Sequence, residues 1–172
     1  MVIKGIIDLE QIQNNTFSMK KLFSLILAFC LLSPVIADDD FYDTAHKLAT
    51  CSGAFEITSQ LFSSLGGSDA ETTVVQEKAN GWLVASVVFF MTDGMTAEGS
   101  WSSAQGVKDT TISYWMARIE SSLDQYASDD ENIESLMKVV EELGTLVKNE
   151  CIIYDEMVEE AIKVYRRMAN SS

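Results

Sequence analysis

FYDTAHKLATCSGAFEITSQLFSSLGGSDAE, residues 41–71, contains one complete amphipathic helix, its end and the beginning of the next helix. Its mostly apolar side chains recur at spacings of three and four residues, the period of one helix face, at Phe41, Ala45, Leu48, Cys51, Phe55, Thr58, Phe62 and Leu65. Gly66 and Gly67 follow, and glycine readily adopts the left-handed conformation that ends a helix. Ser68 and Glu71 then have the spacing of a capping box. The stretch therefore predicts two consecutive helices joined by a short turn.

The rest of the chain continues the helical period. Pro34 is the only proline, so nothing after it prevents long helices. We expect helices at roughly 40–65, 69–93, 104–127 and 130–169, the last interrupted by no breaker except Gly144. No sustained alternation of apolar and polar residues predicts a strand. Four amphipathic helices with short connections predict an all-α fold, an antiparallel up-down-up-down four-helix bundle.

Cys51 and Cys151 lie on the apolar stripes of the first and last predicted helices. The third cysteine, Cys30, falls in a predicted export signal, and an even number of remaining cysteines in an oxidising compartment predicts one disulfide. The bridge would close a loop of about 100 residues and add roughly 4–5 kcal/mol of stability. A redox-active dithiol is the alternative, but its cysteines usually lie close in sequence, as in C-x-x-C. We therefore predict a structural bridge between the first and last helices.

Residues 19–37, MKKLFSLILAFCLLSPVIA, have the layout of a secretory signal peptide. Two lysines precede a mostly apolar run over residues 22–32, which is shorter than the roughly 20 residues that cross a bilayer. Small-residue spacing before the end of the segment predicts cleavage between Ala37 and Asp38. An uncleaved membrane anchor is the alternative.

The signal divides the chain into three parts. Residues 1–18 are interpreted as a start-site artefact or an extended n-region, because Met19 and the lysines after it already make a complete signal start. Residues 38–172 have a length that suits a single helical domain. We expect an exported protein, periplasmic in a Gram-negative bacterium and secreted in any other cell.

The charge of the chain limits the classes of partner that it can bind. The net charge is −14 at pH 7, and such a field repels phosphate backbones and anionic lipid surfaces. We therefore expect no nucleic acid, and no membrane contact after removal of the signal. Basic proteins and cations remain compatible with this charge, although solubility alone also explains it.

The sequence contains few groups for catalysis or metal binding. His46 is the only histidine, and Asp43 lies one helical turn before it. A ferritin-like di-iron site needs two Glu-x-x-His motifs, and a three-histidine zinc site needs three histidines. A sequence with one histidine can form neither site. No G-x-S-x-G, P-loop, G-x-G-x-x-G or C-x-x-C-H motif occurs. We predict no catalytic, cofactor-binding or metal-binding residue, and we expect His46 at the surface.

The predicted connection over residues 92–106 is unusual, since it is rich in Gly, Ser and Thr but contains an aromatic residue, Trp101. Loops longer than about 12 residues in compact domains are often functional. A partner could contact exposed apolar residues around Phe90, Trp101 and Tyr114. Alternatively, Trp101 closes the end of the bundle and Thr96 or Ser102 begins the third helix early.

These observations favour an exported acidic helical bundle that acts as a binding or interaction module without a catalytic centre. The alternative is a carrier of a small apolar ligand, held in the bundle core among Phe55, Trp82, Phe89 and Trp115. A carboxylate-based metal protein or enzyme is less favoured, because the predicted stripes contain no inward acids. We expect a protein partner, while its identity and the oligomeric state are left open.

Overall fold

The computed structural model describes residues 40–64, 66–124 and 129–170; the predicted signal peptide over 19–37, its cleavage point and residues 1–18 lie outside the described residues. Every element in the described ranges is helical, which confirms the all-α class. The elements are, in order, α1 (Phe41–Ser64), α2 (Asp69–Thr92), α3 (Ala97–Asp124), α4 (Asp129–Leu146), a π-helical turn (Val147–Cys151), a 3₁₀ turn (Ile152–Tyr154) and α5 (Asp155–Ala169). Within the described ranges, no helix is both long and apolar enough to cross a membrane.

The turn between α1 and α2 forms as its sequence predicts. Gly66 has a φ of +81°, and the backbone N–H of Gly67 donates to the carbonyl of Phe62 at 2.8 Å. This is the left-handed helix end that glycine permits without steric cost. Ser68 and Glu71 form the predicted capping box at the start of α2. Both halves of the predicted turn are therefore confirmed.

Buried hydroxyl groups connect α1 to α2 in antiparallel register. Each donates to a backbone carbonyl of the other helix, and the pairs, donor first, are Ser52 to Ala79 at 2.8 Å, Ser59 to Thr72 at 3.2 Å and Ser86 to Ala45 at 2.7 Å. Positions on α1 rise by seven as those on α2 fall by seven, so the same faces meet every two turns. Small residues at these positions let the two backbones approach closely.

The third helix begins earlier than the predicted start near Ala104. It starts at Ala97, because the side-chain Oγ1 of Thr96 accepts a hydrogen bond from the backbone N–H of Gly99 at 3.1 Å. A threonine in this position satisfies one of the free donors of a helix start. Most of the predicted connection over residues 92–106 is therefore helix, and a short turn replaces the long loop.

The predicted single helix over 130–169 is interrupted, and the interruption is not at Gly144. The π-helical turn Val147–Cys151 and the 3₁₀ turn Ile152–Tyr154 separate α4 from α5. The two helices have different partners, since α4 packs on α3 whereas α5 packs on α2. A single apolar stripe on one straight helix could not face both α3 and α2. The π-helical turn and the 3₁₀ turn together change which side of the helical segment points inward.

The buried side chains form two clusters. The first lies mainly between α1, α2 and α5 and includes Leu48, Phe55, Trp82, Phe90, Tyr154 and Val158. The second lies between α1, α3 and α4 and contains Ala54, Ile57, Trp115, Ile119, Val139 and Leu143. The predicted disulfide is confirmed: Cys51 and Cys151 are bonded within the first cluster, with their Cα atoms 5.6 Å apart.

A polar group also connects three helices. Glu56 of α1 forms an ion pair with Lys108 of α3 at 3.3 Å, and both side chains are largely buried, with exposed fractions of 17% and 11%. Gln76 of α2 donates a further hydrogen bond to the same Glu56 oxygen. Because a largely buried charge is costly unless it is paired, this group favours one arrangement of the three helices.

Candidate functional site

A recess with a volume of about 380 Å³ lies over the disulfide, between α1 and the break in the last helical segment. We call it the cystine cleft. From α1 it is lined by His46, Lys47 and Thr50, and from the other side by Asn149, Glu150 and Ile153 together with Leu146 and Tyr154. Its size is in the range of small-molecule sites.

The cystine cleft exists because the chain departs from α-helix beside Cys151. In the π-helical turn the backbone N–H of Ile152 donates to the carbonyl of Val147, five residues earlier, instead of four. The following 3₁₀ turn reduces this spacing to three, from Asp155 to Ile152. π-helical turns are rare and occur frequently at functional sites. The irregular backbone places Asn149, Glu150 and Ile153 opposite α1.

His46 lies at one end of the cystine cleft, in a cluster of rings. Its ring centroid is 4.6 Å from that of Tyr42 and 5.3 Å from that of Phe90. Its Nε2 atom is buried and has no hydrogen-bond partner among the described residues. The ring therefore packs as an aromatic side chain. Asp43, one turn earlier, is exposed.

A second recess, of about 430 Å³, lies between α3 and α4. Tyr114 and Arg118 line it, and both contact the buried ring of Trp115. We call these three residues the Tyr114 face. The guanidinium carbon of Arg118 lies 5.8 Å from the Tyr114 ring centroid and 5.3 Å from that of Trp115, within the range of cation–π contact. Tyr114 is 56% exposed. The face thus presents a fixed aromatic and a stacked cation to solvent.

Glu142 of α4 completes the Tyr114 face by forming an ion pair with Arg118. The hydrogen bond from Arg118 lowers the pKa of Glu142, and the same bond raises the pKa of Arg118. Both groups are therefore charged at neutral pH. The pair holds the guanidinium over the rings and connects α3 to α4.

Comparisons with protein-family models, with curated proteins and with solved structures found no match to this chain. The geometry of the described residues is therefore the basis for a proposed function.

The residues predicted for partner contact lie in different environments. Phe90 is fully buried, so it offers no surface to a partner. Trp101 is half-buried, packs against the first cluster and contacts the ring of Tyr165 with centroids 6.4 Å apart. Of the three, Tyr114 alone is well exposed. Phe90 lies on α2 and is part of the first cluster. The early start of α3 brings Trp101 into a helix, from which it packs against the same cluster.

The core side chains considered for an apolar ligand are divided between the two clusters. Phe55, Trp82 and Phe89 belong to the first, and Phe55 contacts Trp82 with ring centroids 5.5 Å apart. Trp115 belongs to the second. The four side chains therefore do not surround one common space. Among the described residues, no group of three or more His, Cys, Asp or Glu side chains is placed to hold a metal ion.

Sequence reasoning missed the side of the cystine cleft formed by Asn149, Glu150 and Ile153. The sequence did contain a signal, namely two large apolar residues, Ile152 and Ile153, directly after Cys151. In a continuous helix both would face solvent. In the structure these isoleucines are 47% and 57% exposed. Two large apolar residues on an otherwise polar face indicate either a helix irregularity or a binding surface.

Proposed function

We propose that this chain is an exported acidic helical bundle that acts as an interaction module, contacting a protein partner through the Tyr114 face. The exposure of Tyr114 carries the proposal: the ring is 56% exposed although it is held in place by Trp115 and Arg118. Tyrosine, tryptophan and arginine are the residue types most enriched at binding hot spots. A net charge of −14 favours a partner with a basic surface, since opposite charges speed association.

Export belongs to the same proposal. The signal peptide over 19–37, with cleavage between Ala37 and Asp38, would deliver residues 38–172 to the periplasm or the medium. The bond between Cys51 and Cys151 supports this, because disulfides persist mainly in oxidising compartments. We also propose the up-down-up-down order of the helices, which the antiparallel register of α1 and α2 supports.

Site-specific photo-crosslinking tests the Tyr114 face. A photoreactive phenylalanine analogue at position 114 is expected to give a covalent adduct with one basic protein of the source cell. The same analogue at Gln105, which is exposed on the same helix and nine residues away, faces the opposite direction and should give none. The adduct should decrease as salt rises from about 0.05 to 0.5 M, because salt screens the attraction.

The matched substitutions are Tyr114→Ala and Gln105→Ala. Tyr114→Ala is expected to weaken the partner's affinity at least tenfold, as hot-spot tyrosines do, and Gln105→Ala should leave it unchanged. Equal adducts from both positions, or an affinity that Tyr114→Ala does not alter, would contradict the proposal.

A further inference from the structure

A sequence motif for the attachment of a glycan follows the last helix. Residues 170–172 (Asn-Ser-Ser) come directly after α5 and have the pattern N-x-S/T, in which the asparagine accepts a glycan when x is not proline. The pattern occurs once more in the sequence, at residues 14–16 (Asn-Asn-Thr). That copy precedes the proposed signal over 19–37, so cleavage of the signal would remove it. Asn170 is therefore the acceptor that the exported protein would carry.

The end of α5 leaves the side chain of Asn170 accessible. The helix ends at Ala169, and Asn170 is its C-cap, with a φ of −82° and a ψ of −7°. Its backbone N–H donates to the carbonyl oxygen of Arg166 at 3.1 Å. The residue is exposed, and its side-chain amide forms no hydrogen bond with any described residue. The helix thus fixes the backbone of Asn170, while the side-chain amide stays available for reaction.

Two other exposed asparagines lack the motif. Asn80 begins the triplet Asn-Gly-Trp over residues 80–82, and Asn149 begins the triplet Asn-Glu-Cys over residues 149–151. The third residue of the second triplet is bonded in the disulfide, so it has no thiol proton. Exposure alone therefore does not distinguish Asn170. The hydroxyl group at the third position of its triplet does.

We propose that Asn170 is an N-glycosylation site, modified in the secretory pathway. The donor is an oligosaccharide joined to a lipid through a diphosphate. The side-chain Nδ2 of Asn170 forms a bond with the anomeric carbon of the first sugar, and the bond between that carbon and the diphosphate oxygen breaks. The lipid diphosphate leaves, and the amide nitrogen loses one proton. This inference rests on the proposed export, because the motif is an acceptor in secreted proteins.

The position of Asn170 separates the glycan from the Tyr114 face. Tyr165, five residues before Asn170, contacts the ring of Trp101 near the start of α3. Tyr114 lies thirteen residues further along the same helix, or about 20 Å from Trp101 at the rise of an α-helix. The glycan is therefore attached at the Trp101 end of the bundle. Because a glycan is bulky and hydrophilic, it covers that end and leaves Tyr114 for the protein partner.

Digestion with peptide-N-glycosidase tests the inference on the full chain, collected from the source cell and from its medium. Exported protein is expected to migrate as a larger species, which digestion shifts to a lower apparent mass. The enzyme converts a glycosylated asparagine into aspartate, so the tryptic peptide that begins at Met168 should contain aspartate at position 170 after digestion. Digestion in heavy-oxygen water distinguishes this conversion from spontaneous deamidation, which precedes the labelling.

Substitutions within the motif identify the residue that carries the glycan. Asn170→Gln removes the acceptor and Ser172→Ala removes the hydroxyl group that completes the motif, so each should abolish the shift. Ser172→Thr should retain it, since threonine also completes the motif. The matched control is Ser171→Ala, which changes the unrestricted middle residue and should retain the shift as well. Asn170 lies beyond the last helical residue and is exposed, so its variant should fold.

Exported protein without a glycan at Asn170 would overturn the inference and leave the proposed export intact. Protein that stays in the cytoplasm with residues 1–37 attached would overturn both. A shift that persists in Asn170→Gln would assign the modification to another residue and would also overturn the inference. Photo-crosslinking from position 114 should be unaffected by Asn170→Gln, and its loss would contradict the separation of the glycan from the Tyr114 face.

Discussion

Gly53 shows how one residue determines the distance between two helices. A Cβ atom added at this position would lie 2.8 Å from the Cβ of Thr111 and 2.9 Å from the carbonyl oxygen of Lys108, both on α3. Such distances are shorter than van der Waals contact, and a backbone oxygen cannot move without the helix. The absence of a side chain thus allows α1 to lie against α3 beside the buried pair of Glu56 and Lys108.

Gly53→Ala and Gly106→Ala are expected to change stability in opposite directions. Gly106 is exposed within α3 and has open space around it, so alanine should stabilise by about 0.5–1 kcal/mol through its better helix propensity. At Gly53 the same gain is exceeded by an overpacking cost of typically about 1–3 kcal/mol. Urea unfolding measures both, and equal stabilisation by the two substitutions would mean that α1 and α3 are not in close contact.

At the scale of the elements, the ends of the helices were more predictable than their continuity. Gly66 and the Ser68–Glu71 capping box act through neighbouring residues, so their sequence pattern was sufficient. The break at Val147–Cys151 depends on which helices α4 and α5 pack against, and that information is not local. The count of cysteines was sufficient to predict the disulfide, whereas no local pattern predicted the cleft that the break creates.

The capping box also makes α2 sensitive to acid. Hydrogen bonds from the side chain and then the backbone N–H of Ser68 lower the pKa of Glu71. A carboxyl group whose pKa is lower in the folded state contributes stability above its unfolded value of 4.5, and this contribution is lost as the pH falls through the folded pKa. Stability from this end of α2 should therefore decline below about pH 4.5.

Ser68→Ala tests the capping box directly. The loss of the cap should cost about 1 kcal/mol at pH 7, and the difference from the native protein should become smaller at about pH 3, where protonated Glu71 no longer accepts as a carboxylate. Ser102→Ala is the control, because Ser102 is exposed inside α3 and caps no helix. Urea unfolding at both pH values gives the comparison. If the two substitutions have the same effect, the cap contributes nothing.

At the scale of the whole molecule, the disulfide connects α1 to the break between α4 and α5. Cys51 lies in the central part of α1, which contributes side chains to both clusters. Cys151 lies between α4, which belongs to the second cluster, and α5, which belongs to the first. The bridge therefore fixes the point at which the last helical segment changes partner. It also fixes the two sides of the cystine cleft relative to each other.

Reduction of the bridge should destabilise the fold and leave the Tyr114 face intact. The loop between the cysteines spans 100 residues, for which the chain-entropy model gives a loss of about 4–5 kcal/mol in unfolding free energy. Reduced native protein retains both sulfur atoms, so its comparison with the oxidised form in urea isolates the cross-link, and Cys51→Ala with Cys151→Ala provides a second unbridged form. Crosslinking from position 114 should persist, because α3 and α4 remain joined through Arg118 and Glu142. A reduced protein within about 1 kcal/mol of the oxidised one would show that the fold does not depend on the bridge.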